Sequence, residues 1–251
     1  MEQIVGGLSA LGPIWAKFGL CANVIALAAA LLLGPAAFAA SAAPVPVPGA
    51  ANLPESALPA PRAQGPVSLE KALAQRRSQR SFGATPLTAA EAGQLLWAAQ
   101  GITGGKGERN APSAGATYPL VLYLVAGHVD SLAGGVYRYL PQGHRLQGVA
   151  VGDVRAALAI AARGQRWIAD APALVVIAAQ PERTAARYGA RAEAYVAMEA
   201  GAAAQNLLLQ AAALGLGGTL VGAFNEAAVR RSLALAETEQ PLAIVPVGHR
   251  R

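Results

Sequence analysis

Three guanidiniums and two hydroxyls stand within six residues in Arg76-Arg77-Ser78-Gln79-Arg80-Ser81, just before Phe82. Arginine binds phosphate in a bidentate fork and serine adds a neutral donor, so this segment suits a phosphate group or the polar edge of a planar ring. The same residues equally suit a solvated helix end, where cations complement the helix dipole. A second segment, Pro112-Ser113-Ala114-Gly115-Ala116-Thr117-Tyr118-Pro119, combines small side chains with the Ser113 hydroxyl. Such a stretch lets backbone approach a ligand closely, and read alone it is also an ordinary turn. A third runs from Gly215 to Phe224. Gly215 fits a helix C-cap, and Leu220, Val221, Gly222 and Ala223 can present bare peptide groups to a flat ligand. The fourth is Pro246-Val247-Gly248-His249-Arg250-Arg251, where Arg250 follows a strand-like run and Arg251 reads as a frayed end.

Several chemistries are excluded by context. The glycines at 215–218 follow a helical stretch rather than joining a strand to a helix, so they are no dinucleotide fingerprint. Ser113 lacks a nucleophile elbow, and no serine, histidine and carboxylate set has the surroundings of a hydrolase. The three histidines, His128, His144 and His249, lie far apart and Cys21 is the single cysteine, so neither a zinc site nor an internal disulfide is expected. The formal net charge of +6 comes from scattered arginines rather than a block of like charge, which argues against a nucleic-acid tail. It leaves arginines free to hold a phosphorylated small molecule.

Regular elements must hold these segments in place. Ser68 with Leu69-Glu70-Lys71 reads as an N-cap and first turn of a short helix to about Arg77. Thr88 with Glu91 forms a capping box for a second helix containing Leu95, Leu96, Ala98 and Ala99. After a glycine-rich loop at 101–107, the apolar run Leu120–Ala126 reads as a buried strand. Val136–Leu140, Pro141-Gln142-Gly143 and His144-Arg145-Leu146 form a hairpin pattern. Asp153 opens an alanine-rich helix to about Arg163, and Ala173–Ala179 is another strand. A helix from about Ala190 to Leu214 is apolar almost all round, so it must be buried in a core or against a second subunit. Thr219-Leu220-Val221 is strand-like, a short helix starts at Glu226, and Leu242–Val247 is a last strand. Strands and helices alternate, so the class is α/β or α+β, and no internal repeat is visible.

With 54% hydrophobic residues in 251, the chain can bury one sizeable core. Phe18–Leu33 is an apolar run preceded by Lys17 and followed by Ala37-Phe38-Ala39 and Ala40-Ser41-Ala42. Residues 1–42 therefore read as a signal peptide, or equally as an uncleaved membrane anchor or an added extension. Residues 43–66 carry Pro44, Pro46, Pro48, Pro54, Pro59, Pro61 and Pro66 and read as an extended tether. The folded domain is then expected over 67–251. A functional signal places the protein in the periplasm or on a membrane; otherwise it is cytoplasmic.

In this order and spacing the segments resemble the nitroreductase family over roughly Ser68–Arg250, closest to its SagB-type dehydrogenase branch. The resemblance rests on Arg76-Arg77-Ser78-x-Arg80-x-Phe82, Pro112-Ser113-Ala114-Gly115 with Tyr118-Pro119, Glu199-Ala200-Gly201, Gln205-Asn206-Leu207-Leu208-Leu209 and Gly215-Leu216-Gly217. It implies an α+β fold with a central, mostly antiparallel sheet flanked by helices, in an intertwined homodimer with FMN between the subunits. Arg76, Ser78 and Arg80 match positions that hold the FMN phosphate and the pyrimidine edge, with Arg77 in a neighbouring backbone or ribityl role. Pro112, Ser113, Ala114 and Gly115 match the segment contributed by the other subunit. Leu220, Val221, Gly222 and Ala223 match backbone facing flavin N5, and Arg250 matches a cation that reaches the phosphate. The implied activity passes electrons in two steps between NAD(P)H and a small organic acceptor of nitro or quinone type. Other readings are a dehydrogenase acting on a modified peptide and a membrane-tethered, non-catalytic flavin-binding protein. Azoline-oxidising members carry a Lys-Tyr pair before the long helix. Here Arg187-Tyr188 stands in that region, and arginine cannot serve as a base, which leaves Tyr188 as the catalytic candidate or as simple packing.

Overall fold

The computed structural model describes residues 53–251. The elements in chain order are β1 (Ser56–Ala57), α1 (Leu69–Gln75), α2 (Ala89–Gln100), β2 (Leu120–Ala126), β3 (Gly135–Leu140), β4 (Arg145–Val151), α3 (Arg155–Ala161), α4 (Trp167–Asp170), β5 (Ala173–Ala179), α5 (Glu182–Tyr188), α6 (Ala192–Ala213), β6 (Leu216–Gly218), α7 (Glu226–Leu233) and β7 (Gln240–His249). The strands form one seven-stranded sheet in the order β1-β4-β3-β2-β5-β7-β6, and every neighbouring pair is antiparallel. This is the α+β sheet flanked by helices that the resemblance implies.

All residues of β2 and β5 are buried, which explains why neither shows a polar–apolar alternation. Side chains still alternate between two separate cores. Leu120, Leu122 and Leu124 of β2 join Val175 and Ile177 of β5 beneath α2 and α6. Val121, Tyr123 and Val125 join Leu174 and Val176 on the opposite face, beneath Leu158 of α3, Ile168 of α4 and Val229 of α7. The sheet is therefore the middle of three layers, and apolar residues are required on both of its faces.

The helix starts follow their caps. The Ser68 hydroxyl accepts from the Lys71 N–H at 3.3 Å. Thr88 accepts from the Glu91 N–H at 3.1 Å, while the Glu91 carboxylate accepts from the Thr88 N–H at 2.9 Å. Gly215, at φ 76°, closes the end of α6. Two expectations are corrected. The strand read at 219–221 lies three residues earlier, at Leu216–Gly218, and Val221 contributes only an isolated bridge to Ile244. The tether read over 43–66 is packed where it is described: Ser56 and Ala57 pair with Leu146 and Arg145, and Leu58 is buried. Gln94 also exchanges two hydrogen bonds with the Arg62 backbone, at 2.8 and 3.0 Å. The signal or anchor read over 1–42 lies outside the described residues. Among the described residues, no helix is long and apolar enough to cross a membrane.

Two-sided burial makes a direct prediction. Ile177→Ala should lower the unfolding free energy by about 2–5 kcal/mol. Ile160→Ala, at a site 65% exposed on α3, should change it by no more than about 0.5 kcal/mol. Urea unfolding of both variants checks this, and equal losses would contradict the core assignment.

Candidate functional site

The arginine-rich segment after α1 is stitched to the edge of the sheet by its backbone. Ser78 forms a parallel bridge with Gly218, and the Gln79 N–H donates to the Gly218 carbonyl at 3.0 Å. Phe82 bridges Arg250, and the Gly83 N–H donates to His249 at 2.8 Å. Arg250 in turn donates from Nε to the Leu216 carbonyl at 3.0 Å. A Cβ on Gly217 would stand 2.7 Å from Gln79 Cγ, so only glycine allows the segment this close. The bridge between Val221 and Ile244 brings Leu220–Ala223 to the same end of the sheet. Leu220 is 46% exposed there, and a Cβ on Gly222 would meet nothing within 4 Å. Ser78, Leu220–Ala223 and Arg250 thus gather at the β6–β7 edge, and Arg76 stands two residues before Ser78, at the end of α1.

The other two arginines of the segment, Arg77 and Arg80, make different contacts. Arg77 turns back on α1, with Nη1 donating to the carbonyls of Ala74 (3.1 Å) and Arg76 (2.8 Å). Both the helix-end reading and the neighbouring backbone role fit that placement. The Arg80 guanidinium lies 5.7 Å from the centre of the Trp167 ring in α4, at the side of a cavity of about 480 Å³.

The segment 112–115 is fastened elsewhere. The Ala114 N–H donates to Glu199 Oε1 of α6 at 2.8 Å, and the Tyr118 N–H donates to the Ser113 hydroxyl at 2.9 Å. The hydroxyls of Thr117 and Thr184 share a hydrogen bond at 2.9 Å, which ties the turn to α5. Gly115 has φ 58°, and a Cβ there would come within 2.6 Å of Tyr188 Oη. Pro112 is exposed at the start of this turn. Glu199 lies nine residues, roughly 14 Å of helix, before Leu208, against which Gly218 packs. One chain therefore presents the two halves at different levels of α6 and does not bring them together.

Glu199 carried no role in the sequence reading, although the signal was present. It is a lone carboxylate in an apolar stretch of helix, and a buried charge needs partners. It is 6% exposed; burial pushes its carboxyl above the ordinary glutamate value, opposed by the Ala114 N–H, the Ser113 hydroxyl and the Arg109 cation. Tyr188 stands edge-on to Tyr195 with ring centres 5.1 Å apart, and Arg187 donates to the Gly115 carbonyl at 3.2 Å. That is a packed, loop-holding arrangement. Among the described residues, no group of three or more histidine, cysteine or acidic side chains could hold a metal ion.

Comparison with known proteins establishes the family and the fold. The family model described as the nitroreductase family matches residues 73–249, and the chain belongs to that family and is an oxidoreductase. A protein of Methanocaldococcus jannaschii named as a candidate nitroreductase is 43% identical over 184 residues, 73% of this chain and 92% of the relative. A crystal structure of a candidate nitroreductase from Ralstonia eutropha superposes with a TM-score of 0.71 at 29% identity, covering 82% of this chain and 95% of that one. The NADPH:FMN oxidoreductase of Vibrio harveyi shares the fold, with a TM-score of 0.52 at 22% identity, covering 72% of this chain and 68% of that one.

Glu199 generates a pH prediction. Its raised pKa means that folding favours the protonated carboxyl. That contribution is complete below the unfolded glutamate value and is lost as pH rises through the raised value. Relative to Glu199→Gln, the wild-type protein should therefore lose stability over the pH range that begins at the ordinary glutamate value and extends above it. Urea midpoints of the two proteins across that range test it; a constant difference, or one growing in favour of the wild type, would contradict it.

Proposed function

We propose that this protein is an FMN-dependent oxidoreductase that works as a homodimer and passes electrons in two steps between a nicotinamide cofactor and a small organic acceptor of nitro or quinone type. The observation that carries this reading is the stitching of Ser78 to Gly218 and of Phe82 to Arg250, which sets two arginines beside bare backbone at one sheet edge. Those residues fit FMN. Arg76 and Arg250 supply cations for its phosphate, and Ser78 adds a neutral donor. Leu220, Gly222 and Ala223 are exposed and a Cβ on Gly222 would meet nothing within 4 Å, which suits backbone that faces a flat ring, while Val221, whose peptide groups pair with Ile244, fastens that backbone to β7. Arg80 serves the pyrimidine edge. Its contact with Trp167 is worth about 0.5–2 kcal/mol, and a charge-assisted hydrogen bond about 1.5–3 kcal/mol, so the ring edge can draw the side chain away. When bound, FMN supplies the electron-transfer chemistry, and the protein supplies placement and charge.

The homodimer reading has its own support. Pro112, Ser113, Ala114 and Gly115 belong to the site by family resemblance, yet they are anchored to α5 and α6 away from the β6–β7 edge. Leu69 and Leu73 of α1 and Met198 of α6 are 60%, 50% and 65% exposed, and α1 packs on α6. That apolar surface suits a second copy of the chain, whose 112–115 segment would complete the cleft. Peptide dehydrogenation finds less support. The fold is shared with a chain of the E. coli microcin synthetase complex, with a TM-score of 0.61 at 22% identity, covering 78% of each chain. Here, however, Arg187 stands before Tyr188, and its guanidinium is bound to the Gly115 carbonyl.

The purified protein should be yellow, and NADH or NADPH should bleach it in the absence of oxygen. Arg76→Ala should weaken FMN binding roughly 10–100-fold, the equivalent of one charge-assisted contact, with unchanged circular dichroism. A colourless protein that takes up no FMN, or bound FMN that neither nucleotide bleaches, would overturn the reading.

A further inference from the structure

The sheet is split between its central strands, far from the edge just described. β2 pairs with β5 along its whole length, from Leu120 to Ala126. Its ladder with β3 stops at Tyr123 opposite Arg138, while β3 continues along β4 to Leu140. Leu120–Leu122 and Tyr139–Pro141 therefore diverge, and a cavity of about 200 Å³ opens between them. Three arginines line it: Arg138 from β3, Arg183 from α5 and Arg109 from the loop before the 112–115 turn. Gln100 and Gln142 complete the polar lining.

The charges at this split do not cancel. Arg138 is paired at 3.0 Å with Glu239, a fully buried carboxylate that also accepts from Tyr123 and Gln180. Among the described residues, neither Arg109 nor Arg183 has an ion-pair partner. Arg109 Nη1 donates to Gln100 at 2.9 Å and its Cζ lies 4.8 Å from the centre of the Tyr118 ring, yet its Nε is buried without a hydrogen-bond partner. Arg183 donates one hydrogen bond, to the Tyr118 carbonyl at 3.1 Å, and is otherwise exposed. Burial, aided by the cation of Arg183 and opposed by Tyr118, Tyr139 and the Glu199 carboxylate, holds Arg109 below the usual arginine range. Two neighbouring cations repel, Glu199 offsets Arg109 only from beyond ion-pair distance, and a buried unpaired donor is costly, so this arrangement gains from an anion.

We infer that the split between β2 and β3 is a second ligand site, one that binds a phosphate group through Arg109 and Arg183. Two unpaired guanidiniums match a dianion, and each can offer a fork of N–H donors. The cavity is smaller than the roughly 300–1,000 Å³ of clefts that enclose drug-sized ligands. It therefore takes a free phosphate ion, or the phosphate end of a small molecule whose remainder lies outside. The site shares no residue with the arginines assigned to the flavin cleft.

Calorimetric titration of FMN-saturated protein with inorganic phosphate tests this, with chloride adjusted to hold ionic strength constant so that screening does not vary. A parallel titration with glycerol 3-phosphate distinguishes the two sources: tighter binding of the ester assigns the site to a phosphorylated small molecule, and binding of phosphate alone assigns it to the free ion. Saturable binding is expected in the wild type. Arg183→Gln should weaken it about tenfold or more, and because that side chain is exposed the variant should fold normally. Arg109→Gln should do the same, and if it fails to fold, Arg183→Gln decides alone. Flavin content and bleaching by nicotinamide should be unchanged in Arg183→Gln, so loss of this site and loss of the flavin reading give different results. No saturable phosphate binding in the wild type, an unchanged affinity in Arg183→Gln, or binding abolished by Arg76→Ala alone would overturn the proposal.

Discussion

Backbone hydrogen bonds between the segment at 78–83 and the strands β6 and β7 are the constraint on which the candidate site depends. A flexible arginine-rich loop would lose much of its binding energy to ordering, because each fixed residue costs about 1–2 kcal/mol of backbone entropy. Here that cost is met during folding, since Gln79 and Gly83 already donate to Gly218 and His249. Gly217 and Gly218 make the contact possible: a side chain at Gly217 would collide with Gln79, and one at Gly218 would press on the Pro246 carbonyl at 3.0 Å. The arginines are then carried by a fixed strand-like track rather than by a loop.

The same rigidity separates the two halves of the site. The turn at 112–115 is held by Glu199, Thr184 and Arg187, all on the helical layer that covers one face of the sheet. Helix α6 runs past both halves, with Glu199 near its start and Leu208 beside Gly218. A stiff helix of 22 residues cannot bend one half onto the other within a chain. A second copy crossing the first is the economical way to join them, and it would cover the exposed Leu69, Leu73 and Met198 as well. On this account the flavin cleft and the dimer surface are one design.

Much of the fold was legible because its signals are local. Continuous apolar runs marked Leu120–Ala126 and Ala173–Ala179 with correct bounds, and Thr88 with Glu91 announced α2. Other features were hidden for physical reasons. β1 lies between Pro54 and Pro59, and a proline-rich stretch tolerates only a short edge strand, so it read as a tether. At 216–221 the β-branched Thr219 and Val221 outweighed the glycines, yet the register with β7 sets Gly217 opposite Gly248, where only small residues fit. Within the site, the order of the motifs pointed to Arg76, Ser78 and Arg250. A lone carboxylate in an apolar helix marked Glu199 as needing partners, but the contacts of Glu199, Arg109 and Arg183 join residues far apart in the chain, such as the 85 positions between Ala114 and Glu199, and no local pattern names those partners.

The central claim, that each flavin cleft is shared by two chains, is tested most directly by complementation. Arg76→Ala damages one half of the site, and Gly115→Val damages the other, since a β-branched residue at φ 58° is strained and its Cβ would meet Tyr188. Each variant homodimer should bind FMN poorly. In a heterodimer isolated by two different tags, a shared cleft combines both lesions in one site and leaves the other intact, so FMN binding should return at one molecule per dimer. A heterodimer that binds FMN no better than its parents would show that each cleft lies within a single chain, and would contradict the account.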